Sequence, residues 1–316
     1  MMGTITVVNP GLLTTVQDLG RTGYQQFGMV VSGAMDPFSL QVGNILVGNP
    51  RGAAGLEITL SGPVLRFEKE CLVALTGADL SPLLDDQPAP MWKGFSVGRG
   101  QVLSFRRPVE GIRAYLTVSG GIDVPEVMGS RSTYINGGIG GYRGRALEKG
   151  DVLTVGVNPV PREGKRLAYG LRPRYGKEVT LRAVPGPQSE AFTEEAVGTF
   201  FSEAYEVTPR SDRMGYRLKG PRLFHKEKAD ILSDAIAPGS VQVPAEGQPI
   251  VLLADRQTTG GYAKIATVIS ADLPRLAQAG PGCRVRFERI DVAEAEKRAV
   301  EQENLLRTLE IGARNN

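Results

Sequence analysis

The sequence predicts a mainly β protein in two parts, with a few short helices and one helix at the C-terminal end. Three observations lead there. Short β-branched and apolar runs recur between turns from residue 56 to about residue 160, at the spacing of an antiparallel barrel or sandwich and not of alternating βα units. Residues 158–177 are rich in Pro, Gly, Arg and Lys and have no apolar period, so they read as a linker. A second set of strands begins at 179 and closes at about 288, ahead of an amphipathic tail. The expected layout is an N-terminal domain over 1–160, a second over 175–290 and a helix over 291–316. A chain of 316 residues is long enough for two such cores, and its 40 Gly and 21 Pro imply many turns.

In chain order, 4–8 is a β-branched strand ended by Asn9-Pro10-Gly11. Asp18 and Arg21 follow in a glycine-rich polar stretch and are expected to brace one another. Asp36-Pro37 opens a helix, with Asp as N-cap and Pro at the first position; Phe38, Val42, Ile45 and Leu46 give it an apolar face, and Gly48-Asn49-Pro50 stops it. Strands are expected at 56–60, 64–67, 72–75, 102–105, 114–118 and 152–157. Thr76-Gly77-Ala78-Asp79 is expected to follow a strand directly, where it could present backbone N–H groups to a ligand. The glycine-rich segment 136–145 has neither P-loop nor Rossmann spacing and is expected to be a flexible loop. After the strand 179–184, Gln188 to residue 201 reads as an amphipathic helix carrying Phe192, Val197 and Phe200. In the tail, Asp291 with Glu294 starts a helix whose apolar positions are Val292, Ala295, Ala299, Leu306 and Leu309.

Composition narrows the function. A formal charge of +3, with no basic tract and 6% aromatic residues, argues against nucleic acid. No apolar run of membrane-spanning length occurs and the N-terminus has no leader pattern, so a cytoplasmic protein without a membrane partner is expected. The two cysteines, Cys71 and Cys283, read as buried thiols. The single histidine, His225, lies in a charged segment and is expected to be solvated. Chemistry here therefore falls to carboxylates, Arg, Lys, amides and backbone dipoles, and no metal site is expected.

Two stretches concentrate those groups. Asp255-Arg256-Gln257-Thr258-Thr259-Gly260-Gly261-Tyr262, with Lys264 beyond it, lies between the apolar runs 250–254 and 265–269. The two glycines leave N–H groups open to close approach, and the pattern suits an anionic or amide-bearing small molecule. Ser211-Asp212-Arg213-Met214-Gly215 repeats the same chemistry. Arg213 and Arg256 are the candidate clamps for carboxylate or phosphate, with Asp212 and Asp255 orienting them or taking a proton. The alternative for each Asp–Arg pair is a structural ion pair.

Several ordered motifs carry a resemblance over about residues 4–288: Thr15-Val16-Gln17-Asp18-Leu19-Gly20-Arg21, Gly33-Ala34-Met35-Asp36, Thr76-Gly77-Ala78-Asp79, Val184-Pro185-Gly186-Pro187-Gln188, Ser211 to Leu218, Val241-Gln242-Val243-Pro244 and Asp255 to Tyr262. They resemble the C-type subunit of bacterial 5-oxoprolinase, a family that includes the antagonist of a sporulation-kinase inhibitor and is similar to the carboxyltransferase domain of urea carboxylase. Ala263 and Ala245 stand where that family commonly has Pro. The resemblance implies two cyclophilin-like β-barrel domains flanking a cleft. It implies an ATP-dependent opening of 5-oxo-L-proline to L-glutamate, with Mg accompanying the nucleotide. It also implies two partners, the A-type and B-type subunits of 5-oxoprolinase, of which the B-type is kinase-inhibitor-like. Gln188, Ser211, Gln242, Gln257, Thr258, Thr259, Gly260, Gly261, Tyr262 and Lys264 would hold substrate or nucleotide. Two alternatives stay open. One is biotin-dependent carboxyl transfer to urea or a similar amide, with biotin supplied by another chain because no Ala-Met-Lys-Met acceptor is present; the other is a non-catalytic regulator that binds a kinase-inhibitor protein.

Overall fold

The computed structural model describes residues 3–157 and 164–315. Contacts divide the chain into one unit formed by Met1–Arg21, Ser32–Arg174 and Leu305–Asn316, and a second formed by Thr22–Val31 and Tyr175–Asn304. The structure is mainly β, as the strand spacing predicts.

In the first unit the strands fall into a seven-stranded and a five-stranded sheet. The larger one is built around Gly3–Asn9, which pairs antiparallel with Val152–Val155 on one side and Val64–Phe67 on the other. The smaller one centres on Glu110–Val118, between Gly55–Thr59 and Cys71–Asp79. Alternate residues of both sheets meet in one core, with Ile5, Val7, Leu65, Phe67 and Leu103 from the first and Val16, Leu56, Ile58, Leu75 and Leu116 from the second. The helix Pro37–Leu46 starts as expected, Asp36 accepting from the Ser39 N–H at 2.9 Å. Its apolar face meets Leu72, Ala74 and Trp92, and Leu306 of the C-terminal helix joins the same cluster.

Several local expectations fail, each for a visible reason. Thr76-Gly77-Ala78-Asp79 does not follow a strand but lies inside Cys71–Asp79, with Thr76 and Ala78 buried. Asp18 does not reach Arg21. Its carboxylate accepts from the Ser130 hydroxyl at 2.7 Å, the Ser132 hydroxyl at 2.5 Å and the backbone N–H groups of Gly20 and Arg131, while Arg21 donates to the Ser132 carbonyl. The segment 136–145 is a packed turn: a Cβ on Gly141 would stand 1.8 Å from Thr133 Oγ1, and one on Gly144 2.1 Å from the Gly138 carbonyl oxygen. Of the expected linker, residues 158–163 lie outside the described residues. Leu167, beyond them, is buried in the cluster around Trp92 and bonds to the Trp92 carbonyl at 3.0 Å.

In the second unit seven strands close into a barrel, in the order Glu178–Pro185, Lys264–Val268, Ser240–Gln242, Ile250–Leu252, Gly215–Lys219, Ala204–Val207 and Arg284–Arg289. The ring is closed by the parallel pairing of the first and last, Glu178 opposite Arg284 through Ala183 opposite Arg289. Leu181, Tyr205, Tyr216, Val241, Val251, Ala266 and Val285 fill its interior. The helix expected from Gln188 starts later: a 3-10 turn, Ser189–Ala191, precedes it, and Thr193 caps Glu194–Ser202. Its Phe200 stacks on Phe287 at 4.3 Å between ring centroids. His225 is not a solvated surface group. Its ring lies 4.5 Å from that of Phe192, Nε2 is 3.0 Å from the Val243 carbonyl oxygen, and burial lowers its pKa from the ordinary value. A separate ribbon pairs Asp230–Ala235 with Thr259–Tyr262. No helix among the described residues is long and apolar enough to cross a membrane. Both cysteines are buried and unbridged.

Candidate functional site

The outer face of the barrel wall carries the site, and strand register explains why. Arg217 lies opposite Ile250, Ile250 opposite Gln242, and Gln242 opposite Lys264. Directly opposed residues of antiparallel strands point to the same face, about 5 Å apart. The intervening residues Tyr216, Val251 and Val241 fill the barrel, so this rank faces away from it. A register shift between Val241 and Gln242 brings Lys264 into the rank, although Ala266, two residues on, points into the core.

A cavity of about 220 Å³ opens over this face, built from second-unit residues. Met214, Ile236, Ile250 and Leu252 give it apolar walls; Gln242, Arg256, Gln257 and Tyr262 supply polar groups, and Asp212, Gly215 and Arg217 complete the lining. The ribbon approaches closely through Gly260, where a Cβ would lie 2.7 Å from both Gln242 Nε2 and Ile236 Cδ1. Glycine is favoured there by contact and not by a left-handed backbone.

The two polar stretches singled out in the sequence are neighbours. The Asp255 N–H donates to the Arg213 carbonyl at 2.9 Å. Their side chains form a buried two-pronged pair, Arg213 Nε to Asp255 Oδ2 at 2.9 Å and Nη2 to Oδ1 at 3.0 Å. Asp212 does not hold an arginine: its carboxylate accepts from the Met214 and Gly215 N–H groups at 2.8 and 3.1 Å, which forms a turn. Ser211 likewise bonds to the backbone of Arg217.

Arg256 differs. It is 6% exposed, and Nε and Nη1 donate to the carbonyls of Ile236 and Leu253 at 3.1 and 3.3 Å. Among the described residues no carboxylate meets it and Nη2 has no bond, so its charge is desolvated with two carbonyls but no counter-charge to offset it. Burial accordingly holds its pKa below the ordinary arginine value. A buried cation with one open edge against a cavity can donate to a carbonyl or carboxylate oxygen placed there.

Lys264 is committed elsewhere. Its Nζ donates to Asp234 Oδ2 at 2.6 Å and to the Ala235 carbonyl at 2.9 Å, which ties the ribbon to the barrel; the same bond holds the Asp234 carboxyl below the usual carboxylate range. Gln188 supports this latch, accepting from the Lys264 N–H at 3.3 Å. Gly186 has no room for a side chain, since a Cβ would stand 2.2 Å from the Lys264 carbonyl oxygen. Thr258 contributes its carbonyl to the Ile236 N–H, while Thr259 and Gly260 pair with Ala235 and Asp234. Gly261 sits between Gly260 and Tyr262, which is 41% exposed at the cavity edge.

Sequence reasoning missed Asp234, Arg217 and the apolar walls. Ile250 and Leu252 sit in a run read as a buried strand. The one usable signal was alternation in Gly215–Lys219, which sets Arg217 opposite in facing to the buried Tyr216 and Leu218.

The family model of the carboxyltransferase domain, subdomain A and B, matches residues 27–289. The chain is 41% identical over 309 residues to the C-type subunit of 5-oxoprolinase from Escherichia coli, covering 96% of each. Its identity to the Haemophilus influenzae counterpart, of the same description, is 41% over 283 residues, covering 90% of each. The crystal structure of the Kluyveromyces lactis urea carboxylase aligns with a TM-score of 0.92 at 33% identity, over 98% of this chain and 29% of that longer one. The chain belongs to the carboxyltransferase-domain family, which it shares with the C-type subunits of 5-oxoprolinase and with the matching part of urea carboxylase.

Proposed function

We propose that this chain is the C-type subunit of an ATP-dependent 5-oxoprolinase, acting with A- and B-type partners, and that its own contribution is to hold 5-oxo-L-proline with Arg256 on the lactam carbonyl. The carrying observation is the state of Arg256: buried, without a carboxylate partner among the described residues, and open to a cavity with several apolar walls. A lactam presents such a cavity with one strong acceptor and a run of methylenes. Donation from a guanidinium to the carbonyl oxygen draws charge from the amide and favours attack at its carbon, an electrostatic contribution that is large in a desolvated site. Gln242 and Gln257 offer amides to the ring N–H.

The same residues do not fit a nucleoside triphosphate. Polyphosphate transfer uses several positioned cations around the phosphates, and here Arg213 is committed to Asp255 and Lys264 to Asp234, which leaves only Arg256 and the exposed Arg217 at the cavity. The cavity, at about 220 Å³, is also smaller than the roughly 300–1,000 Å³ of ordinary ligand pockets. This cavity is therefore read as the lactam's and not as the nucleotide's.

Carboxyl transfer is the second reading, favoured by the family model and by the likeness to urea carboxylase. Biotin carried on another chain would supply the carboxyl group, and Arg256 would hold the carbonyl of its ureido ring. Urea as acceptor has no methylene for the apolar walls, which only the rings of biotin would then meet, whereas 5-oxoproline meets them itself, and for that reason the lactam is preferred.

The test is release of glutamate and ADP from 5-oxoproline and ATP by this chain mixed with its A- and B-type partners, with each component omitted in turn. Turnover is expected only in the full mixture and should fall by roughly 10²–10³ with Arg256→Ala in a complex that still assembles. An assembled wild-type complex that releases no glutamate overturns this reading.

A further inference from the structure

Arg217 is the remaining cation of the cavity lining. It lies two strands from Gln242 on the same face, with Ile250 between them. Its backbone is fixed by Ser211, whose hydroxyl accepts from the Arg217 N–H at 3.1 Å and donates to the Arg217 carbonyl at 3.3 Å. Its side chain is exposed, and among the described residues no carboxylate meets it. Asp212, the acidic residue of the same lining, is held in its own turn by two N–H groups. The cavity thus has one guanidinium buried behind it and another at its solvent edge, with an apolar wall of Ile250 and Leu252 alongside.

We infer that Arg217 binds the carboxylate of the substrate, so that the site selects small lactams carrying a carboxylate over lactams without one. This rests on the reading that Arg256 holds the lactam carbonyl. The chemistry of the two positions differs in the required sense. A fully ionised carboxylate keeps part of its hydration at a rim and still pairs with a planar guanidinium fork, whereas an amide carbonyl gains most from a donor held away from water. In 5-oxoproline these acceptors flank the ring nitrogen, and the ring methylenes are left for Ile250 and Leu252. Arg217 is a specificity residue: it touches substrate away from the bond that breaks.

The experiment compares 5-oxo-L-proline with 2-pyrrolidone, the same lactam lacking the carboxylate, on the full chain with its partners. Binding is read by ligand-observed NMR and, where turnover occurs, kcat and KM are separated. Wild type should bind 5-oxoproline more tightly than 2-pyrrolidone. Arg217→Ala should raise KM and Kd for 5-oxoproline roughly tenfold, the lower end for a hydrogen bond to a charged group at a wet site, with kcat and 2-pyrrolidone binding little changed. Arg217→Lys should restore part of the loss. An unchanged preference in Arg217→Ala, or no preference in wild type, overturns the inference. If Arg256→Ala still abolishes turnover in that case, the oxoprolinase reading stands without it. If no complex turns over 5-oxoproline but the preference exists and depends on Arg217, the carboxylate site stands and the assigned reaction falls.

Discussion

Arg213 and Arg256 have the same side chain and are equally buried at 6% exposure, yet they are in opposite electrostatic situations. Arg213 has a carboxylate on both prongs of its fork; Arg256 has only carbonyls. Removing one partner of a buried pair strands the other charge, which costs about 3–5 kcal/mol. Arg213→Ala is therefore expected to lower the unfolding free energy by that amount in urea, whereas Arg256→Ala, which removes a desolvated charge with no counter-ion, should cost much less stability and nearly all activity. Equal losses of stability in the two variants would contradict the assignment of structural and functional roles. Lys264 belongs with Arg213 in this respect, because its ammonium is held by Asp234.

At the scale of elements, the site depends on a ribbon laid over a barrel wall. The ribbon and the residues next to it bring Ile236 and Tyr262 to the cavity, and Lys264 with Asp234 ties it down. Gly260 is the point of closest approach. In Gly260→Ala the new Cβ would meet the ends of Gln242 and Ile236, both movable and both lining the cavity. The expected result is a stability loss of only about 1–3 kcal/mol, with kcat/KM for 5-oxoproline falling further than that loss explains under conditions where the protein is fully folded. Unchanged kcat/KM would show that the ribbon does not shape the site. The ribbon strand Asp230–Ala235 was not legible in the sequence: Leu232 within it is 94% exposed and its residues do not alternate between core and solvent.

The largest scale at which a single side chain can be followed is the C-terminal helix, Val292–Asn315, whose residues to 304 group with the second unit and from 305 with the first. Its expected apolar face is only partly used: Val292 is 57% exposed, while Leu306 is buried in the cluster of Phe38, Val42, Leu72 and Trp92. Truncation of a buried Leu typically costs about 2–5 kcal/mol. Leu306→Ala should destabilise the first unit by that amount and, since Trp92 is the only tryptophan, shift the protein's fluorescence to longer wavelength. An unshifted spectrum with unchanged stability would show that the helix end is not held by this contact.

The sequence alone determined the β character, the helix cap at Asp36 and the two polar stretches at 211–218 and 255–264. Each of these is written in residues close together along the chain: alternation, a turn, a capping side chain, a concentration of donors. Only the tertiary structure decided which of the three buried cations in those stretches is left without a carboxylate among the described residues. Arg213 is neutralised by a carboxylate 42 residues away and Lys264 by one 30 residues away, on a ribbon with no strand signal of its own. Whether a charge is available depends on which group stands opposite it, and that is settled by the loops and the ribbon that the tertiary fold brings against the barrel, at a range no local pattern reaches.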